Sequence, residues 1–355
     1  MLIDKSIFIK NIYYMLSYAF QFIEQDGYED IKKEEFHNIH NLFSAILVKG
    51  IGRQLKQGLH KEYVSKTEAL TSLRGKIDMP GTIQKQLERK REISCEYDEL
   101  SENNILNQII KSTVMLLMKQ GSVKQEIKLE FRKEMLFFAN VEEIDINAVK
   151  WQSIRFYRNN KNYRMLISIC QLVSEGMLLT TERGMYKLAS FIKPEQMERL
   201  YEKFILEYYR KEHPEISVAS SQIKWAVDDE HRTYLPSMQS DVMLTTHDGL
   251  NVLIIDAKYY TKTMQTHFNK KSLHSNNMYQ IFTYVKNKEY EFGDTEHKVS
   301  GMLLYAKTDE EIQPDETYSM TGNAVSVKTL DLNKDFSNIA EQLDNILEKH
   351  FEIIK

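Results

Sequence analysis

The sequence predicts an α+β protein in two parts. A helical N-terminal domain carries a projecting β finger, and a second domain follows with the element order α-β-β-β-α-β. Three observations carry this reading. Apolar residues recur at helical spacing up to about His60. Alternation with Gly75, Pro80 and Gly81 then takes over to about Leu100. Further on, an uninterrupted apolar run, Val252-Leu253-Ile254-Ile255, follows a strand and a tight turn. Helical spacing marks amphipathic helices, alternation with turn residues marks strands, and the unbroken run marks a strand covered on both faces. At 355 residues the chain exceeds the size at which one core stops growing. The boundaries fall at 1–150 (helical and β-finger domain), 151–194 (helical connector) and 195–355 (second domain).

Apolar residues make up 42% and charged residues 28%, the balance of a soluble globular protein. With 13 glycines, 5 prolines and no low-complexity stretch, long disorder is not expected. The net charge of -4 counts against tight autonomous DNA binding, yet a local basic face can coexist with acidic metal ligands. Cys95 and Cys170 are far apart and lack metal spacing, which suits two reduced thiols. No charged-then-apolar leader and no membrane-length apolar run is present, so the expectation is a cytoplasmic, unprocessed protein.

Residues Ile7 to Ile23 place Ile12, Leu16, Ala19, Phe20 and Ile23 on one helical stripe, and Glu35 to Gln57 do the same with Leu42, Ile46, Leu47 and Ile51. Core packing explains both. Glu62 to Ile83 read as strands and turns, Gln84 to Arg91 as a basic run, and Glu92 to Leu100 as a strand. A helix starts near Ser101, with Asn104 three residues on. Met135 to Ile146 read as irregular or short-stranded. Trp151 to Arg164 interleave aromatic and basic residues, a mix found in nucleic-acid grooves and, more often, at solvated helix starts. Met165 to Leu179 are helical, and Pro194 suits a helix's first turn.

The second domain opens with a helix over Glu195 to Lys211, with Leu200, Phe204 and Tyr208 on one face. Strands follow at Ile216 to Val227, Leu235 to Thr246 and Asn251 to Tyr260, then a helix at Asn276 to Val285 and a strand at Lys298 to Ala306. That order is the core of the restriction-endonuclease-like fold. A short strand at Ala324 to Leu330 and a helix from Asp335 to Ile353 complete it.

The chemistry sits at the end of the apolar strand. Asp256 and Lys258 are two apart, so they share a strand face. Asp241 precedes Asp256 by 15 positions across the His247-Asp248-Gly249 turn, which lets the two strands pair and brings the carboxylates together. Two close carboxylates repel unless one is protonated or a cation lies between them. Oxygen donors favour Mg²⁺ or Mn²⁺. Asp241 and Asp256, with the Ala257 carbonyl as third donor, are the candidate ligands, and Lys258 would orient water or hold charge on a phosphate. Asp256 and Lys258 alone also read as a surface ion pair; the hairpin partner raises the signal. Gln280 and Tyr284 lie one turn apart on the next helix and are further catalytic candidates. A basic loop with Lys262, His267, Lys270, Lys271 and His274 offers contacts to DNA phosphates, although each residue singly is as easily just solvated. Glu202 and Glu207 are helix acids near the site, Glu202 the preferred one as an extra ligand or orienting group. No G-x-x-x-x-G-K-[ST] occurs, and Gly50-x-Gly52 lacks a third glycine, so any nucleotide that powers the system is bound by a partner.

These residues stand within blocks that resemble the McrC family, the nuclease subunits of McrBC modified-cytosine restriction systems. The blocks are NIYYMLSYAF at Asn11, LRGKID at Leu73, YDELSENNILNQIIKST at Tyr97, LYEKFILEYY at Leu200, LPSMQSD at Leu235, IIDAKYY at Ile254 and NMYQIFTY at Asn277. The resemblance implies a PD-(D/E)xK nuclease with Asp241, Asp256 and Lys258 as its matched residues. The pattern's Pro-Asp pair is split here, with Pro236 five residues before Asp241. It further implies a partner, an McrB-like AAA+ GTPase hexamer that binds GTP and recognises modified double-stranded DNA. The finger, roughly Glu62 to Leu100 with Arg74 and Lys76 at its Arg-Gly-Lys turn, would reach into that ring and stimulate GTP hydrolysis. Double-strand cutting implies two nuclease sites meeting in a large hetero-oligomer. Two rivals stay open: a non-catalytic adaptor that binds DNA or activates the motor, and a nuclease that needs no partner.

Overall fold

A computed structural model describes residues 9–20, 38–158, 160, 162–181, 194–229, 233–260, 263–267, 270–308 and 310–351. Helix α1 (Ile9–Ala19) is buried from Asn11 to Ala19, and a helix apolar all round must be covered on all sides. The helix over Pro194–Glu212 packs along it. The Asn11 amide donates to the carbonyls of Leu332 at 2.7 Å and Lys334 at 2.8 Å. The Tyr14 ring stacks on Phe336 at 4.1 Å between centroids. The chain therefore divides differently from the expected 1–150, 151–194 and 195–355. One unit joins residues 1–39 to 176–355, and the other is residues 40–175. Ile23 lies outside the described residues.

In the unit of residues 40–175, α2 (Ile39–Gln57) buries Leu42, Phe43, Ile46 and Leu47 as its stripe requires. The finger is a three-stranded sheet of order β1-β3-β2, built from β1 (Glu62–Leu70), β2 (Lys76–Ile77) and β3 (Ile93–Ser101). β1 and β3 pair without a bulge from Glu62↔Ser101 to Leu70↔Ile93. The expectation of strands alone over 62–83 is corrected by α3 (Met79–Leu87), which places Pro80 in its first turn where no N–H is missed. Gly75 has φ +70°, and a Cβ there would stand 2.4 Å from the Glu96 carbonyl, so the turn admits only glycine.

Both ends of the finger are fastened by one buried polar clamp. Helix α4 (Ile105–Lys119) starts after Asn104, not Ser101, and the Asn104 side chain accepts the Asn107 N–H at 3.3 Å. The Asn107 amide donates to the carbonyls of His60 at 2.9 Å and Glu102 at 2.7 Å. Asn104 donates to the same His60 carbonyl at 2.8 Å. The Tyr163 hydroxyl accepts the His60 N–H and donates to Asn107 Oδ1, both at 2.8 Å. Tyr163 opens α6 (Tyr163–Thr181), which follows α5 (Gln125–Met135) and three single 3-10 turns, at Leu136–Phe138, Ile146–Ala148 and Trp151–Ser153. Cys95 and Cys170 are free and buried, and burial pushes the Cys170 thiol up to about 12, as suits an inert thiol.

The other unit is organised on a six-stranded mixed sheet. Its elements are α7 (Pro194–Glu212), β4 (Ser217–Ala219), β5 (Gln222–Ile223), β6 (Met238–Gln239), β7 (Val242–Thr245), β8 (Asn251–Lys258), β9 (Met264–His267) and β10 (Lys270–Leu273). Then come α8 (Ser275–Tyr290), β11 (Lys298–Ala306), β12 (Glu316–Met320), β13 (Asn323–Leu330) and α9 (Phe336–Phe351). The order is β12-β13-β11-β8-β7-β4, with β13, β11 and β8 parallel to one another and the remaining pairs antiparallel. The two long strands expected at 216–227 and 235–246 are each broken in two, and β5 pairs with β6 outside the main sheet. β8 is central and buried from Val252 to Lys258. Ile281, Tyr284 and Val285 of α8 cover the face that carries Val252, Ile254, Val299 and Leu303. Gly301 makes that approach possible, since a Cβ there would meet Ile281 at 2.7 Å. α9 is held by the Tyr208 hydroxyl on Asp344 at 2.7 Å and by His213, whose two ring nitrogens face Glu215 and Asp344 at 2.8 Å each. Among the described residues no helix is long and apolar enough to cross a membrane.

The clamp can be tested. Asn107→Ala removes one donor from each of the His60 and Glu102 carbonyls, which keep Asn104, and leaves the Tyr163 hydroxyl without its acceptor, a loss of roughly 1–3 kcal/mol for that unsatisfied group. The β1 and β3 amides should exchange hydrogen faster in this variant than in the parent. Unchanged protection would show that the clamp does not hold the finger.

Candidate active site

β7 and β8 form the expected hairpin. Val242 pairs with Ile255 and Thr245 with Val252, so the next position sets Asp241 opposite Asp256. Asp248 shapes the turn, accepting from the Thr246 hydroxyl at 2.5 Å and the Leu250 N–H at 2.9 Å. A serine knot fixes the chain as it enters Asp241. Buried Ser240 takes the Ser221 N–H on its hydroxyl at 3.2 Å and gives its own N–H to the Ser221 carbonyl at 3.0 Å. Ser220 Oγ donates to the Ser240 carbonyl at 2.8 Å. Asp241 Oδ2 then accepts the Ala257 N–H at 2.9 Å.

Asp256 is 1% exposed and Lys258 8% exposed, so the pair is withdrawn from water. Lys258 Nζ stands 2.9 Å from Asp256 Oδ2. Lys258 and Asp241 are the close charged neighbours of this carboxylate. Burial raises the Asp256 carboxyl against the lowering by Lys258. Burial also works against the Lys258 ammonium, but the Asp256 and Asp241 charges outweigh it and its pKa stands above the usual lysine value. Asp241 is pushed up to about 7, by burial first and then by Asp256 and Glu202. Glu202, on α7, reaches about 7 through burial and Glu198, opposed by Lys258. Three carboxylates thus share one ammonium. The excess negative potential calls for a proton or a cation.

The sequence candidates separate into groups. Asp241, Asp256, Lys258 and Glu202 come together. Ala257 contributes its N–H to Asp241, and the carbonyl expected as a ligand is not engaged in that bond. Glu207 is turned to Arg210 at 2.6 Å. Gln280 donates to the Tyr284 hydroxyl at 3.0 Å, and Tyr284 is part of the apolar core. Among the described residues, neither bonds to Asp241, Asp256 or Lys258. Lys262 lies outside the described residues. The expected basic loop contains a hairpin, with Lys270 paired to His267 and Lys271 to Thr266. His274 stands at the α8 N-cap, its ring 5.2 Å from that of Tyr260. In the other unit, Arg74 lies 3.9 Å over the Tyr97 ring and 3.5 Å from Glu99, while Lys76 is exposed on β2.

Tyr305 was not foreseen. The parallel register of β8 and β11 sets it opposite Lys258. Burial pushes its hydroxyl up to about 12. It accepts from Asn277 Nδ2 at 2.9 Å, and Asn277 Oδ1 accepts from Tyr260 at 3.2 Å. Asn277 and Tyr260 stood in quoted blocks, but only strand register links them to the lysine.

Among the described residues, no group of three or more His, Cys, Asp or Glu forms a ready metal cage. Mg²⁺ does not require one, since it is commonly held by one or two carboxylates together with substrate phosphates and water. The donor set fits: hard oxygens, on carboxylates that outnumber the ammonium.

The family model for the McrBC 5-methylcytosine restriction system component matches residues 6–306. The type IV methyl-directed restriction enzyme EcoKMcrBC of Escherichia coli is 25% identical over 349 residues, covering 97% of this chain and 98% of that protein. A refined half-complex from a tetradecameric assembly of Thermococcus gammatolerans McrB AAA+ hexamers with bound McrC aligns with a TM-score of 0.51 at 18% identity, over 95% of this chain and 76% of that one. This likeness is one of fold.

The strain at Asp241 has a measurable sign. Its carboxyl ionises near 3.9 in an unfolded chain and near 7 in the folded one. Between those values the folded state binds the extra proton, so this group's stabilising contribution is full at low pH and is lost as pH rises towards 7. In EDTA at pH 8, Asp241→Asn should therefore melt above the parent, by about 2–4 °C for each kcal/mol recovered. The two curves should converge towards pH 4. A parent as stable as the variant at pH 8 would show that the cluster carries no such strain.

Proposed function

Because the chain belongs to the family of McrBC 5-methylcytosine restriction system components, we propose that it is the DNA-cutting subunit of such a system, a metal-dependent endonuclease that works in complex. The observation that carries this reading is the buried Asp256 gathered with Asp241 and Glu202 around the single ammonium of Lys258 at the end of the central strand. A structural ion pair would match one carboxylate to one cation. Here the carboxylates outnumber the ammonium.

Asp241 and Asp256, with the Ala257 carbonyl, would hold Mg²⁺ or Mn²⁺, and the ion supplies polarisation of the phosphate and acidification of a water. The chain's own residues do the rest. Lys258 keeps its proton beside Asp256 and so holds charge that develops on the phosphate. Glu202, half open and ionising near neutrality, is placed to orient the attacking water or take its proton. The Ala257 N–H and the serine knot keep Asp241 in line. Asn277 and Tyr305 support the flank of Lys258.

The finger suits a partner role. Its sheet and α3 expose Leu73, Ile77, Met79, Ile83 and Leu87, apolar side chains that a lone domain would bury. By analogy with the McrB hexamers that hold McrC, this chain would dock through the finger, including Arg74 and Lys76, onto an McrB-like AAA+ ring that binds GTP and delivers double-stranded DNA. It would also stimulate that ring's GTPase, and two such subunits would meet for double-strand cutting. The adaptor reading draws on the lack of a three-residue cage among the described residues. Chelation separates the two readings, since an adaptor's complex is indifferent to it.

In the complex with its AAA+ partner, GTP and Mg²⁺, Asp256→Ala and Lys258→Ala should each lower DNA cleavage by on the order of 10²–10³-fold or more. Assembly and GTPase stimulation should stay at the parental level, and EDTA should stop cutting. Full cleavage by either variant would sink the site assignment.

A further inference from the structure

The buried pair is reached from one side. Asp256 and Lys258 are enclosed, whereas Asp241 and Glu202 are partly open, and both line a cleft of about 370 Å³. One wall is a single face of α7, with Arg199, Glu202 and Lys203 at positions i, i+3 and i+4. The opposite wall holds Ser220, Gln239 and Asp241. That wall is rigid, since Gln239 Nε2 donates to Ser220 Oγ at 3.0 Å and Ser220 belongs to the serine knot. Ligand sites span roughly 300–1,000 Å³, so this cleft takes one nucleotide-sized unit and not a duplex.

The cleft must admit a polyanion past two carboxylates, and its cations are unequal. Lys258 is committed to Asp256. Lys203 lies 4.4 Å over the Phe20 ring. Arg199 is exposed and, among the described residues, forms no hydrogen bond or ion pair within 4.0 Å. It sits one helical turn, about 4.5 Å along the axis, from Glu202. A guanidinium fork matches two phosphate oxygens at once. We propose that this cleft is the channel by which one DNA strand reaches the carboxylates, and that Arg199 grips the backbone phosphate next to the scissile one. The assignment rests on the nuclease reading and deepens it, placing the bound strand against α7 rather than on the basic segment after β8.

Steady-state cleavage by the full complex across a salt series tests this. Arg199→Ala should raise KM for DNA about 10-fold, with kcat within about twofold. The slope of log kcat/KM against log salt should become shallower by about 0.9, the value of one lost phosphate contact. Arg199→Lys keeps the charge and should restore the slope while recovering only part of KM. Unchanged KM and slope overturn the proposal, as does a fall in kcat alone, which would mark a disturbance of Glu202. A second arm measures DNA affinity of the complex in the Asp256→Ala background. There Arg199→Ala should weaken binding whether or not the chain cuts, so failure of the cleft assignment and failure of the nuclease reading give different results.

Discussion

A carboxylate almost wholly removed from water is the constraint around which the sheet-bearing unit is arranged. Isolated, such a charge would be prohibitive. Lys258 on the same strand face compensates part of it, and burying both ions still carries a penalty that pairing recovers only with good geometry. Here the pairing is incomplete, with more carboxylates than the one ammonium can match. The surrounding fold holds the pair in place regardless. β7 and β11 flank β8, α8 is drawn close at Gly301, and the serine knot locks the neighbouring carboxylate. Apolar burial over Val252 to Ile255 supplies the stability that the charged end gives up, the usual relation between a scaffold and a strained site.

Much of this was legible because it is local. The β8 run, the turn at Asp248-Gly249 and the two-residue spacing of Asp256 and Lys258 are short-range patterns, and the register they imply is the register found. The long helices with continuous stripes were equally readable. The failures share a cause in nonlocal pairing. β5 and β6 are two residues each, too short to show a period. α3 was hidden by Pro80 and Gly81, read as turn residues although proline also opens helices. Tyr305 is brought to Lys258 only by a parallel pairing across 47 positions of sequence. Gln280 and Tyr284 share a helix face as foreseen and bond to each other there.

The finger shows the same logic in polar form. A nine-residue ladder with many exposed apolar side chains has little core of its own. Its order comes from the root, where Asn104, Asn107 and Tyr163 capture the backbone on both sides of the sheet. Fully satisfied buried networks specify one arrangement where apolar contacts would allow several. The polar block at Tyr97 to Thr113 is thus explained as a mounting, and apolar residues beyond it stay exposed.

The joining of α1 to the far end of the chain bears on how the protein is made. Asn11 finds its carbonyl acceptors 321 and 323 positions later. Domains generally fold as units while the ribosome advances at roughly 5–20 residues per second. The unit of residues 40–175 is contiguous and can close early. The carboxylate-bearing unit cannot, because its first helix must wait for its last strand and helix. During synthesis the finger is therefore complete while the unit that carries Asp241 and Asp256 is still open. A ribosome that stalls between residues 175 and 332 would hold a chain whose contiguous unit is complete and whose other unit still lacks the carbonyls that fix its first helix.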